Sequence, residues 1–111
     1  MRIVRISLWL VAALSLTVQA AVPLNVIMKS NRITSADPIV TLELPNAGTE
    51  TPLTNVFSLE GKRVAELSAK SMSRYYWDGK DVDQEPVPAG IYVIQISHGG
   101  SVWHGPVMVN R

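Results

Sequence analysis

Beyond residue 20 the chain nowhere carries the three-and-four spacing of apolar residues that lets a helix cover a core. Short runs rich in Val, Ile, Leu and aromatic residues recur instead, each closed by Gly, Pro, Asn or Asp. That rhythm predicts strands, at residues 24–29, 39–44, 53–59, 63–67, 73–77, 91–97 and 102–109. In the second run Val40, Leu42 and Leu44 alternate with Ile39, Thr41 and Glu43, so one set faces inward and the other outward. In residues 91–97 the set Tyr92, Ile94 and Ile96 is expected to face the core, because the opposite set includes Gln95. Alternation likewise points Tyr75 and Trp77 inward and Tyr76 outward. Residues 65–70 also read as a short helix, with nothing on either side to support it.

The punctuation between runs sharpens the picture. Pro45-Asn46-Ala47-Gly48 ends one strand, and Glu60-Gly61 reads as a two-residue hairpin turn. Asp78-Gly79 closes the Tyr75-Tyr76-Trp77 run, and Pro86, Pro88 and Gly90 break the loop ahead of Ile91. His98-Gly99-Gly100-Ser101 reads as a hairpin joining the last two strands. No helix-length segment links any pair of runs, which excludes parallel βα units. The expected fold is all-β: an antiparallel immunoglobulin-like β-sandwich of about seven strands.

Arg2 and Arg5 precede an uncharged apolar run over residues 6–16, and Val18-Gln19-Ala20 offers small or modest side chains just beyond. Charge, apolar centre and small-residue exit together predict a cleavable signal peptide over residues 1–20. A helix over that apolar run spans only ~16 Å of a ~30 Å hydrocarbon core. The expected product is exported, to the periplasm, cell surface or beyond, with no membrane span after cleavage. It comprises an N-terminal segment, residues 21–37, with a possible first strand, and a sandwich domain over residues 38–111. A domain of about 90 residues buries roughly two-thirds of its surface, enough for one modest core.

The chain has no cysteine, so disulfides, thiolate metal sites and cysteine nucleophiles are excluded. Ten Lys and Arg against nine Asp and Glu give a net charge of +1, with no basic surplus for nucleic acid. No Gly-x-Ser-x-Gly elbow occurs, and no catalytic residues, cofactor or enzyme activity are expected. The acidic stretch Asp78, Asp81, Asp83 and Glu85 is the weak candidate for a metal site, here calcium. It lacks the glycine and distal glutamate of an EF-hand and contains Lys80, so it reads as a solvated turn with backbone-capping aspartates. His98, His104 and Met108 are a weaker copper candidate, and Tyr76 with Trp103 a weak sugar-binding one. The feature with more physical content is the set of sandwich edges, whose unpaired backbone groups can template another chain. If residues 24–29, with Met28, Lys29, Asn31 and Arg32 at their boundary, do not complete a sheet, that edge is open to a protein partner.

The stretch from Trp77 to Tyr92 forms a corner device. Trp77 supplies a large buried anchor, Gly79 a residue free to take positive φ, and Asp78 and Asp81 acceptors for backbone N–H groups in the loop. Pro88 stiffens the approach to the next strand, and Gly90 allows a close turn into Ile91-Tyr92. Residues 77–81, Trp-Asp-Gly-Lys-Asp, and residues 87–92, Val-Pro-Ala-Gly-Ile-Tyr, follow a hairpin segment upstream. That segment, residues 56–67, reads Val-Phe-Ser-Leu-Glu-Gly-Lys-Arg-Val-Ala-Glu-Leu and is centred on Gly61. Together these stretches resemble the immunoglobulin-like domain of the flagellar hook-capping protein family. The same module recurs at the C-terminus of many large exported bacterial proteins, where some versions are type IX (Por-type) secretion sorting domains. The resemblance covers roughly residues 39–111, and residues 106–111 resemble the last strand and basic end of those modules. Gln84 stands where the family commonly has glycine. The resemblance implies an immunoglobulin-like fold held by Trp77, Asp78, Gly79, Asp81, Gly90, Tyr92 and Gly61. It implies a non-catalytic role, either as a protein-binding or structural module of the cell envelope or as a stand-alone type IX sorting or attachment domain.

Overall fold

Alternate residues of the long strands disappear from solvent, and the buried sets face one another across two sheets. The structure, a computed structural model, describes residues 24–45, 51–71 and 73–111, with the backbone alone at residues 70 and 71. Among these residues there are nine strands: β1 (Ile27–Met28), β2 (Arg32–Thr34), β3 (Val40–Glu43), β4 (Leu53–Ser58), β5 (Arg63–Leu67), β6 (Ala69–Ser71), β7 (Arg74–Trp77), β8 (Gly90–His98) and β9 (Ser101–Asn110). One sheet has the order β1-β3-β7-β6 and the other β2-β9-β8-β4-β5. Val40, Leu42, Tyr75 and Trp77 from the first sheet meet Val56, Ile94, Ile96, Val107 and Val109 from the second. Each fully buried aliphatic side chain contributes on the order of 1.5–3 kcal/mol.

This is the strand order of an immunoglobulin sandwich: four strands in one sheet, the central β4-β8-β9 trio in the other, and one extra strand on each side of that trio. The all-β fold class stands, with three differences in detail. The strands number nine rather than about seven, because β2 and β6 add short edge pieces. The second sheet is not wholly antiparallel, since β2 runs parallel to β9 with Ile33 opposite Val109. That pairing persists because it buries Ile33 and lets the Met108 N–H donate to the Asn31 carbonyl at 2.8 Å. Residues 65–70 form no helix; β5 ends at Leu67 and the chain crosses at Ser68 to the other sheet as β6.

The hairpins follow turn chemistry. Gly99 and Gly100, both at positive φ, join His98 to Ser101 as a two-residue loop. The β4–β5 turn is one residue longer than Glu60-Gly61 alone suggests. Ser58 N–H donates to the Lys62 carbonyl at 2.8 Å and Gly61 N–H to the Ser58 carbonyl at 3.0 Å, enclosing Leu59, Glu60 and Gly61. Gly61 at φ 88° fills the left-handed position that a three-residue hairpin requires. The export segment at residues 1–20 and the turn formers Asn46, Ala47 and Gly48 lie outside the described residues.

Candidate functional site: a cleft beside the tryptophan corner

Trp77 ends β7 with 1% of its surface exposed, and its position organises the loop that follows. The indole Nε1–H donates to the Lys80 carbonyl at 3.0 Å. The ring meets the Tyr92 ring edge-on, at 5.5 Å and 66°, an arrangement that adds about 0.5–1.5 kcal/mol beyond area burial. Asp78 Oδ1 accepts the Lys80 N–H at 3.1 Å, turning the chain at Gly79. Gly79 sits at φ 75°, and a Cβ there would lie 2.6 Å from Arg111 Nη2 and 3.4 Å from Ile33. The positive φ favours glycine here, and a Cβ would also displace the end of the Arg111 side chain.

The loop then folds back on itself. Asp81 Oδ1 accepts two backbone N–H groups, from Asp83 at 2.9 Å and Glu85 at 3.0 Å. Asp81 N–H donates to the Glu85 carbonyl and Gln84 N–H to the Asp81 carbonyl. Gln84 adopts φ 65°, a non-glycine residue in left-handed conformation. Val87 N–H donates to the Gly79 carbonyl at 2.9 Å. Arg111 clamps the assembly from outside, donating through Nη2 to the Gly79 carbonyl at 2.7 Å and through Nε to the Val87 carbonyl at 3.2 Å.

Tyr92 completes a second corner. Its hydroxyl donates to the Pro88 carbonyl at 2.7 Å, the backbone tie that fixes the start of the corresponding strand in immunoglobulin sandwiches. Burial, reinforced by Glu60 and opposed by Arg111, raises the Tyr92 phenol above its ordinary 10.0. Trp77, Asp78, Gly79, Asp81 and Tyr92 therefore form one connected unit, with Gly90 opening β8 two residues before Tyr92. Gly61 stands outside it in the β4–β5 turn, at the same end of the sheet, since Ser58 pairs with Tyr92.

The other candidates do not converge. Asp83 and Glu85 are exposed, and Asp81 is bonded to their backbone N–H groups. Among the described residues no three His, Asp or Glu side chains gather as metal ligands. His98 and His104 differ in strand face: His98 continues the inward set of β8, whereas His104 is on the outer face bonded to Gln95 Oε1 at 3.2 Å. Met108 shares the outer face of β9, and Trp103 its inner one, packed against the core. Tyr76 and Trp103 thus lie in different sheets and make no common sugar platform.

The structure shows a feature that residue patterns did not. A cleft of about 840 Å³ opens along one side of the sandwich, where β5 and the end of β7 face each other. It exists because β6 is short. β6 pairs only as far as Tyr75, through Ala69, so Tyr76 and Trp77 have a strand partner on the β3 side alone. β5 is the outermost strand of its own sheet. Ala65, Leu67, Ile39 and Tyr76 line the walls, and Val82 projects from the corner loop. Val82 and Ile39 are 62% and 45% exposed. The sequence signal for this cleft is Val82, a lone apolar side chain in an acidic loop. Residues 24–29 do complete a sheet, as β1 paired with β3 through Ile27 and Met28 and outermost in that sheet; the cleft is on the opposite side of the sandwich. A shallower hollow of about 330 Å³ lies on the outer face of the five-stranded sheet, beside Phe57, Leu59 and Val93.

Strand order, the tryptophan anchor and the tyrosine tie together define an immunoglobulin-like β-sandwich module. Neither a family model nor a curated protein sequence matches the chain. Among solved structures, the fold is similar to part of PorZ, an essential bacterial surface component of the type-IX secretion system of the human oral bacterium Porphyromonas gingivalis. The TM-score is 0.62 at 17% identity, over 78% of this chain and 12% of that one. At that identity the likeness is one of fold, and this chain spans only a small part of the PorZ chain's length.

Proposed function

We infer that this protein is a non-catalytic protein-interaction module of the bacterial cell envelope, working through an edge of its sandwich. The observation that carries the reading is the cleft at β5, where a strand edge, exposed apolar side chains and a rigid loop adjoin. Strand edges recruit extended segments through main-chain hydrogen bonds. The likeness to a module of a secretion-system surface component supports an envelope setting, as does the expected signal peptide. The resemblance to the hook-capping family adds a second precedent for such modules in exported assemblies.

A photo-crosslinking amino acid at position 82 tests the reading in envelope fractions, with position 102, exposed on the outer face of β9, as the control. A discrete protein adduct from 82 and none from 102 is expected. Equal yields at both positions, or no adduct at 82, overturn it. A second reading, a type IX sorting or surface-attachment domain, is favoured by the PorZ likeness. It predicts trimming or modification near Arg111, whereas an interaction module stays intact through Arg111; intact-mass measurement on exported protein decides between them.

A further inference from the structure

We propose that the cleft takes an extended cationic peptide segment of alternating basic and apolar residues, added as a strand alongside β5. The proposal rests on the interaction-module reading and names its partner's chemistry. Three features of the cleft converge on it.

The first is the state of the β5 edge. Alternate residues of an edge strand turn their N–H and C=O groups away from the sheet. At one end that row is already capped, because the Val82 N–H donates to the Val64 carbonyl at 3.0 Å. The shift in β4–β5 register at this point closes the end further. Among the described residues no further strand pairs with residues 65–68, and these four line the cleft. The three strand residues among them, 65–67, span roughly 10 Å, room for a short segment and too little for a whole sheet edge.

The second is the apolar lining. A strand beside β5 presents alternate side chains to the cleft interior, where Ile39, Tyr76 and Val82 lie. Small apolar side chains at every second position fit there. The third is charge. The lining carries Glu66, Asp78 and Asp81 against one cation, Lys80, and Asp83 and Glu85 extend the acidic side on the same loop. Glu66 has Arg63 only at 3.9 Å, with both side chains more than half exposed, so that pair neutralises it weakly. The side chains that alternate with the inward set lie at this rim, and Lys or Arg complements it.

The test uses the full protein and fluorescein-labelled six-residue probes read by anisotropy. A Lys-Val repeat is expected to bind, and a Glu-Val repeat is not. N-methylation of one alternate set of backbone amides should abolish binding while methylation of the other set is tolerated, since strand pairing uses only one parity. Glu66→Lys and Val82→Lys, both at exposed positions, should each weaken the Lys-Val probe by about fivefold or more, with thermal stability unchanged. Val102→Lys, at an exposed position on β9 outside the cleft, should leave binding unaltered. Equal binding of both repeats, equal tolerance of the two methylation patterns, or equal loss with Val102→Lys overturns the proposal. If position 82 crosslinks a partner in the envelope while no cationic probe binds, the partner chemistry is wrong and the module reading survives. If neither occurs, both fail.

Discussion

Replacing Gln84 with glycine should stabilise this protein, against the usual direction of mutations to glycine. Gln84 holds φ 65° in the loop between Asp81 and Glu85, where a Cβ crowds the following carbonyl at a cost of about 1–2 kcal/mol. The contacts that fix the position are made by the backbone. Gln84 N–H donates to the Asp81 carbonyl at 3.0 Å, and the side chain is exposed, so glycine keeps the geometry and removes the crowding. Against this gain stands the greater freedom of glycine in the unfolded chain, about 0.4–1 kcal/mol. The difference is a stabilisation of about 0.5–1 kcal/mol, which for a domain of this size raises Tm by about 3–6 °C. Gln84→Val runs the other way, because a β-branched side chain tolerates positive φ worst. Thermal unfolding followed by circular dichroism reads both variants. A glycine variant that melts lower than the parent, or a valine variant that melts with it, refutes the left-handed assignment.

Three further predictions concern the core and the corner. Thr54 is buried on the inner face of β4 and its hydroxyl has no partner among the described residues; Thr54→Val should therefore raise stability by about 1 kcal/mol in urea denaturation, and a loss would reveal a hidden partner. Gly79→Ala should destabilise by about 2 kcal/mol or more, from positive φ and from collision with the Arg111 guanidinium together; Arg111→Ala in the same chain should relieve only the second part. Burial raises the phenols of Tyr75 and Tyr92 above their ordinary 10.0, so the native state retains protons that the unfolded chain has released. Stability from this source is complete below pH 10 and falls as pH rises above it, and Tyr75→Phe should flatten the alkaline limb of a denaturation-against-pH curve.

What was legible in the sequence was local. Val40-Leu42-Leu44 and Tyr92-Ile94-Ile96 announce their faces by alternation, and each set is buried. Trp77, Asp78, Gly79 and Asp81 announce a turn because each acts on neighbours within four residues. What depended on distant partners was not legible. β2 holds one apolar residue, Ile33, between Arg32 and Thr34, and it is a strand because β9 offers it a parallel edge far along the chain. β6 is a strand because Ala69 meets Tyr75 across a crossing at Ser68. The cleft is a consequence of where β6 stops, and Val82 matters because its backbone reaches Val64 in the other sheet. No period or motif near residue 82 encodes that contact.

The corner and the cleft share their parts, so the rigidity of one decides the preorganisation of the other. The loop over residues 78–87 is pinned by the Trp77 indole, by the Asp81 carboxylate and by the Arg111 guanidinium. Each anchor bonds backbone groups, so the chain itself supplies the bonds that hold the acidic loop. Asp81, its best-placed carboxylate, already spends one oxygen on two N–H donors; coordination of a hard ion by that oxygen would have to break bonds that hold the loop. Millimolar calcium should therefore leave Tm unchanged, since an ion that bound the native state at this concentration with a Kd a hundredfold lower would stabilise it by about 2.7 kcal/mol. Asp81→Asn should lower Tm by a few degrees, because a neutral acceptor replaces two charge-assisted bonds of roughly twice the strength. A rise of Tm in calcium that vanishes in the asparagine variant would show the carboxylate turned outward to a metal, and the loop would then be a switch instead of a fixed wall for the cleft.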